Sequence, residues 1–347
     1  MSYTRDEIDH QPEAWRLTLA VTDAWWDAHG ERLAQASGGT VVFTGCGTSY
    51  HLAHSAARLW QLATGHRAIA VPASEVFLSG TGALPKDGPL TVFAISRSGT
   101  TTEVRWAVEQ VRRDRPGSHV VAVTCHEDSD LARLCEYPLV LPHAAERSVV
   151  MTQSFTSMLL ALQRLAVHVA GRDDLAAELD RLPDLLTRHM AEFTAFGQWA
   201  GAKDAWRQYI FLGLGPYEGL AREATLKLKE MTQVACEAYN PLEFRHGPIS
   251  MVAPGTVVVS LVDAANAAAV QAVGRDVARL GGSVIELVPE GVTPAEEAAR
   301  TLVLPPVSDW SRAVLYMPAL HHLALARAEF LGLNPDQPRH LTQVVTL

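Results

Sequence analysis

No two cysteines in this chain stand in a CxxC arrangement. The four thiols, Cys46, Cys125, Cys135 and Cys236, are too scattered for a zinc knuckle or a dithiol redox centre. They read as reduced packing residues. No run approaches the ~20 apolar residues that cross a bilayer, and the opening MSYTRDEIDHQPE lacks the apolar core of a secretory signal. A cytoplasmic protein is therefore expected. A basic surplus is missing as well: 29 Lys and Arg against 38 Asp and Glu give a formal charge of -9, which argues against nonspecific binding to nucleic acid or to an anionic membrane. The 14 histidines show no spacing such as HxxxH beside a carboxylate, so no metal and no cofactor is expected. What remains is ordinary globular composition, 48% hydrophobic and 19% charged over 347 residues, enough for two domains.

The chain repeats itself. FTGCGTSYHLA at Phe43 returns as FLGLGPYEGLA at Phe211, TVFAIS at Thr91 as TVVVSL at Thr256, HVVAVT at His119 as SVIELV at Ser283, and PLVLP at Pro138 as TLVLP at Thr301. Four stations in one order mark a duplication. Each is a short run of Val, Ile, Leu and Phe bounded by turn residues, which suits a strand buried on both faces of a parallel sheet. Helical segments such as SYHLAHSAARLWQLATG and TTEVRWAVEQVRRD lie between them. The alternation predicts an α/β protein of two tandem units, each a doubly wound, flavodoxin-like parallel sheet flanked by helices. The expected divisions are a helical lead-in over 1–35, with Trp15, Trp25 and Trp26 packed on the body, a first unit over 36–170, a helical connector over 171–199, a second unit over 200–330 and a tail over 331–347.

In such sheets ligands gather at the carboxyl ends of strands, beside helix N-termini. The first copy places small hydroxyl donors there twice, in Gly45-Cys46-Gly47-Thr48-Ser49 and in Ser96-Arg97-Ser98-Gly99-Thr100-Thr101. GxG after a strand can be no more than a tight turn, but the second copy is an internal control. GLGPY and SLVDAANA keep the glycines of the first turn, lose most of the hydroxyls and introduce Asp263. One anion site per chain, in the first copy, follows. A third cluster, SVVMTQSFTSMLLAL at Ser148, starts with Ser, Thr and Gln and continues as an apolar helix. It reads equally as helix capping by Thr152 or Ser154 and as a substrate contact.

After the second GxG runs GLAREATLKLKEMTQVACEAYNPLEFRHGPISMV. On a helix Glu223, Lys227 and Glu230 share one face at spacings of four and three. A solvated charged face is the plain alternative. His246 closes the turn-rich stretch from Tyr239 to Pro248 that follows, a position that presents it outward. Moving a proton between neighbouring carbons needs a base and is helped by a second proton-transferring group; a carboxylate and a histidine suit these tasks.

FTGCGTSYHLA, AISRSGTTTEV, SVVMTQSFT, EATLKLKE, EFRHGP and the terminal PRHLTQVVTL together resemble the sugar isomerase (SIS) domain family, in particular the isomerase half of glutamine:fructose-6-phosphate amidotransferase. The resemblance covers nearly the whole chain. It implies that Thr48, Ser49, Ser96, Arg97, Ser98 and Thr101 hold a sugar phosphate, with Cys46, Gly47, Val149, Thr342 and Gln343 completing the substrate contacts. It implies Glu230 as the base, Lys227 beside it, and His246 assisting ring opening from the neighbouring subunit of a homodimer, with the tail closing over the site. There are two departures. No glutaminase half and no nucleophilic cysteine near the start are present, which speaks against synthase activity. Gln343 stands where the synthases carry a lysine, and an amide cannot serve as a Schiff-base partner. The resemblance then favours the isomerising deaminases, which convert glucosamine 6-phosphate to fructose 6-phosphate and ammonia. A phosphosugar aldose/ketose isomerase and a fructose-amine-phosphate deglycase stand as alternatives, and a phosphosugar-sensing module as one of another class, although no basic recognition segment accompanies it.

Overall fold

Val41, Val42 and Phe43 are all buried, so the first station has apolar contacts on both of its faces. It forms β1 (Thr40–Gly45), followed by β2 (Ala68–Pro72), β3 (Leu90–Ile95), β4 (His119–Thr124) and β5 (Leu139–Val140), all parallel in the order β2-β1-β3-β4-β5. The second copy repeats the arrangement with β6 (Gln208–Gly213), β7 (Ala235–Tyr239), β8 (Thr256–Leu261), β9 (Ser283–Pro289) and β10 (Ala298–Leu304), ordered β10-β9-β8-β6-β7. Counted within each copy, both sheets read 2-1-3-4-5, the flavodoxin-like order. The computed structural model describes residues 2–86, 88 and 90–344; the expected tail runs to 347, and its last three residues lie outside the described residues.

The four repeated stations are β1/β6, β3/β8, β4/β9 and β5/β10. Two strands are absent from that expectation, β2 and β7. Each pairs on one side only, at a sheet edge, and side chains along it are partly exposed. Without a fully apolar run, AIAVP and ACEAY carry little strand signal.

The chain divides into two units. One holds the chain up to Asp9 together with Asp184–Leu341, and the other holds His10–Pro183 with the tail from Thr342. In the second of these, which carries β1–β5, Trp15 and Trp25 are buried, and Trp26 stacks on His168 with ring centroids 4.9 Å apart. Phe43 stacks on Phe93 across β1 and β3 and meets the edge of Trp60. No helix among the described residues is long and apolar enough to cross a membrane.

In the unit carrying β6–β10, the helix Tyr316–Phe330 is buried from Tyr316 to Ala328. Within it His322 approaches Asp9 at 3.5 Å and hydrogen-bonds Thr194 Oγ1 at 3.1 Å. This is not an ion pair. Burial, then the charge of Arg5, pushes His322 down to about 4, while burial raises Asp9. Both shifts disfavour the charged forms. An unfolded chain takes up the His322 proton near its ordinary value of 6.5 and the folded one does not. Stability contributed by the neutral ring is therefore complete above about pH 6.5 and falls by roughly 3 kcal/mol as pH drops towards 4. Urea titrations at pH 7.5, 6 and 5 are expected to show most of this loss by pH 5, and His322→Gln should reduce it, the neighbouring buried His321 contributing in the same direction; an unchanged slope in that variant would remove His322 as a cause.

Candidate active site

In a 2-1-3-4-5 sheet the connections leave in opposite directions from the first and third strands, opening a crevice at their carboxyl ends. β1 and β3 pair from Thr40↔Leu90 to Thr44↔Ala94, so the turn after Gly45 and the loop after Ile95 leave side by side. The first turn enters the helix Thr48–Thr64. A Cβ on Gly45 would lie 2.7 Å from Ser49 Cβ, and Gly47 has φ +53, so both positions require glycine. Ser49 N donates to Cys46 O at 3.0 Å, which seats Thr48 and Ser49 in the first helical turn. Burial, reinforced by Glu103, pushes the Cys46 thiol up to about 12, so Cys46 lines the turn as a neutral group.

The second loop is held by its own hydroxyls. Ser96 Oγ and Thr101 Oγ1 share a hydrogen bond of 2.9 Å, Gly99 N donates to Ser96 Oγ at 3.1 Å, and Thr100 N donates to Ser98 Oγ at 3.2 Å. Gly99 has φ +64 and a Cβ there would collide with Ser129, which fixes the turn into the helix Thr102–Asp114.

Arg97, expected at the phosphate, turns elsewhere. Its Nη1 donates to Val149 O at 3.0 Å and Ser148 O at 3.4 Å and pairs with Glu146 at 3.4 Å, while Nη2 donates to Gln343 O at 2.9 Å. Gln343 answers with its side-chain amide, Nε2 to Arg147 O at 2.8 Å. The guanidinium therefore clasps the 146–149 segment and the tail against the hydroxyl loop. Val149 contributes its carbonyl to this clasp, and Thr342 Oγ1 donates to Val344 O. Glu146, unmarked in the sequence reading, is the buried hub. It accepts from Thr152 N at 2.6 Å, Ser154 N at 3.2 Å and the Ser154 hydroxyl, at the start of the helix Gln153–Ala170. Thr152 makes no side-chain cap of its own, so the capping expected of Thr152 or Ser154 comes from Glu146.

The second copy shows what its crevice lacks. Gly213 and Gly215 repeat the turn geometry, the first against Tyr217 and the second at φ +61. After β8, however, Asp263 Oδ1 accepts from Asn266 N at 2.9 Å and Asn266 Nδ2 at 2.7 Å. A buried carboxylate takes the loop's donors there, which opposes an anion.

The charged trio lies in that unit, on the helix Pro216–Thr232. Its spacing is not that of a solvated face: Glu223 is 0% and Lys227 1% exposed. Lys227 Nζ lies 3.4 Å from Glu223 Oε1 and also contacts Glu230 Oε2, and the Glu230 side chain is 19% exposed. One buried ammonium thus links a sealed carboxylate to one that solvent reaches. His246 follows the short helix Pro241–Phe244, which Asn240 caps through Leu242 N at 3.0 Å. Arg245 anchors that turn to Asp276 at 2.5 Å, and His246 itself is exposed, near exposed Leu242 and Met251. The hydroxyl loops and the trio belong to different units.

A family model described as SIS domain matches residues 33–168 and 205–324. The isomerizing glutamine–fructose-6-phosphate aminotransferase of Aeropyrum pernix is 31% identical over 338 residues, covering 90% of this chain and 52% of that protein. The chain spans about half of that relative. The D-galactosamine-6-phosphate deaminase AgaS of Escherichia coli is 29% identical, over 75% of this chain and 70% of its own. Among solved structures, glucosamine-6-phosphate deaminase from Thermotoga maritima is 28% identical with a TM-score of 0.81 over 100% of both chains.

Proposed function

Because this chain belongs to the SIS domain family, we propose that it deaminates a phosphorylated amino sugar, converting glucosamine 6-phosphate to fructose 6-phosphate and ammonia. The observation that carries the reading is the trio: a carboxylate reachable from solvent, Glu230, held by an ammonium whose other partner is sealed. A fixed carboxylate of this kind is equipped to take the proton from C2 of the open-chain sugar and return it to C1. The C2 amine then becomes an imine, and water adds at C2 to release ammonia and leave the ketose. The sugar phosphate is assigned to the hydroxyl loops at Thr48, Ser49, Ser96, Ser98 and Thr101, with Arg97 and Gln343 shaping them through the clasp. An amide at Gln343 bound to backbone carbonyls is consistent with a reaction that forms no Schiff base there.

Relatives named for glucosamine and galactosamine 6-phosphates both support an amino-sugar substrate. Incubating the pure protein with each of these, and with a fructose-amine phosphate, followed by assays for ammonia and fructose 6-phosphate, separates the readings. Ammonia and fructose 6-phosphate from glucosamine 6-phosphate are expected. Silence on all three, with isomerisation of neutral sugar phosphates, would replace deaminase by isomerase.

His246, exposed on its own chain, is assigned to ring opening in the site of a second copy. Mixed subunits carrying Glu230→Gln and His246→Ala should then regain turnover that neither variant has alone. No recovery after verified subunit exchange would refute the shared site.

A further inference from the structure

The peptide planes of the hydroxyl loop over 96–101 are set from the loop that follows β4. Arg97 O accepts from Thr124 Oγ1 at 3.1 Å and from Cys125 N at 3.0 Å, and Gly99 O accepts from Leu131 N at 2.9 Å. Two carbonyls are thus drawn to one side. In a trans peptide the N–H lies opposite the C=O, so the amides that follow them, Ser98 and Thr100, point the other way. Thr100 N is taken by Ser98 Oγ. Ser98 N has no hydrogen-bond partner among the described residues, and Ser98 is half-buried between buried Arg97 and Gly99. Thr124 itself is 0% exposed at the end of β4. Its hydroxyl accepts from His126 N at 3.3 Å, which leaves its proton for Arg97 O.

The duplication supplies a control. HVVAVTC at His119 corresponds to SVIELVP at Ser283, and the bond from Ser96 N to Val123 O at 3.0 Å returns as Val262 N to Leu287 O at 2.9 Å. In that register Val288 stands for Thr124, Pro289 for Cys125 and Asp263 for Arg97. Valine has no hydroxyl and proline no N–H, so the carbonyl matching Arg97 O has lost both donors. They are present together only in the copy that kept the loop hydroxyls.

We propose that Thr124 is a positioning residue for the substrate's phosphate: its hydroxyl, with Cys125 N, holds the Arg97–Ser98 peptide so that Ser98 N–H faces the anion. The proposal rests on the assignment of the sugar phosphate to the hydroxyl loops, and its test has arms that need no turnover.

Two measurements on isotope-labelled protein separate its parts. Amide exchange at Cys125 reports whether the Arg97 carbonyl stays in place. The Ser98 amide signal, followed during titration with inorganic phosphate and then with glucosamine 6-phosphate, reports the anion. Thr124→Val, which keeps the shape, should speed Cys125 exchange about tenfold and weaken both ligands about fivefold, whereas Thr124→Ser, which keeps the hydroxyl, should stay near native in both. In turnover Thr124→Val should raise KM about fivefold with kcat changed less than about twofold.

Unchanged exchange at Cys125 overturns the proposal, and so does native affinity in Thr124→Val despite faster exchange. If the native protein binds neither phosphate nor the sugar phosphate, the assignment of the hydroxyl loops fails and the role of Thr124 falls with it. Binding without turnover in the native protein fails the deaminase reading alone, and the affinities still decide on Thr124. Should valine prevent folding, Thr124→Ala replaces it; if neither variant folds and Thr124→Ser does, the hydroxyl is a structural group only and the proposal fails.

Discussion

Lys227→Met is expected to lower the unfolding free energy by about 3–5 kcal/mol, because it strands the sealed Glu223 carboxylate without its counter-charge. Glu223 is 0% exposed, so water cannot take the place of the ammonium without opening the helix packing. The pair itself need not add net stability; the cost arises from breaking it. Glu223→Gln combined with Lys227→Met should therefore be more stable than Lys227→Met alone, a coupling on the order of 1–3 kcal/mol in a double-mutant cycle. Urea unfolding of the four proteins checks this. If Lys227→Met matches the native protein in stability, the ammonium is not compensating a buried charge and the electrostatic account of the trio is wrong.

Glu230→Gln is expected to act in the opposite manner, on rate and hardly on stability. The amide keeps the shape, Lys227 keeps Glu223, and the exchanged group is partly solvated, so stability should change by less than about 1 kcal/mol. Turnover should fall by roughly a thousandfold, within the range for loss of a positioned general base, with KM little changed. Steady-state rates on glucosamine 6-phosphate, with a thermal melt on the same sample, measure both. A variant that turns over at the native rate would remove Glu230 as the base and leave the trio a packed charge cluster.

The strands legible in the sequence are those with a continuous apolar run: VVF in β1, TVF in β3 and TVVV in β8 declare themselves by composition alone, and LVL does the same in β5 and β10 although both lie at sheet edges. Ala68–Pro72 and Ala235–Tyr239 sit at sheet edges where one flank meets solvent, and Cys236-Glu237-Ala238 carries no periodicity that separates a strand from a loop. The trio was legible because helical spacing of four and three is a local property. Its burial was not, since that depends on Tyr316–Phe330 packing over it from about a hundred residues away. The clasp formed by Glu146 and Arg97 was hidden for the same reason. A lone acid in PHAAERS gives no sign that it will start the helix at Gln153, and Arg97 in SRSG reads as an anion contact until Val149, Glu146 and Gln343 are seen around its guanidinium. Asp263 was readable because the duplication supplied a reference: the same turn, with an acid where the other copy has hydroxyls.

Turnover of glucosamine 6-phosphate in deuterium oxide tests the proton-transfer claim most directly. If Glu230 carries the proton from C2 to C1, some of it exchanges with solvent on the carboxylate. Carbon-bound deuterium should then enter fructose 6-phosphate at C1, and its rate of appearance should fall by roughly a thousandfold in Glu230→Gln. Deuterium entering the Glu230→Gln product at the native rate would contradict the assignment.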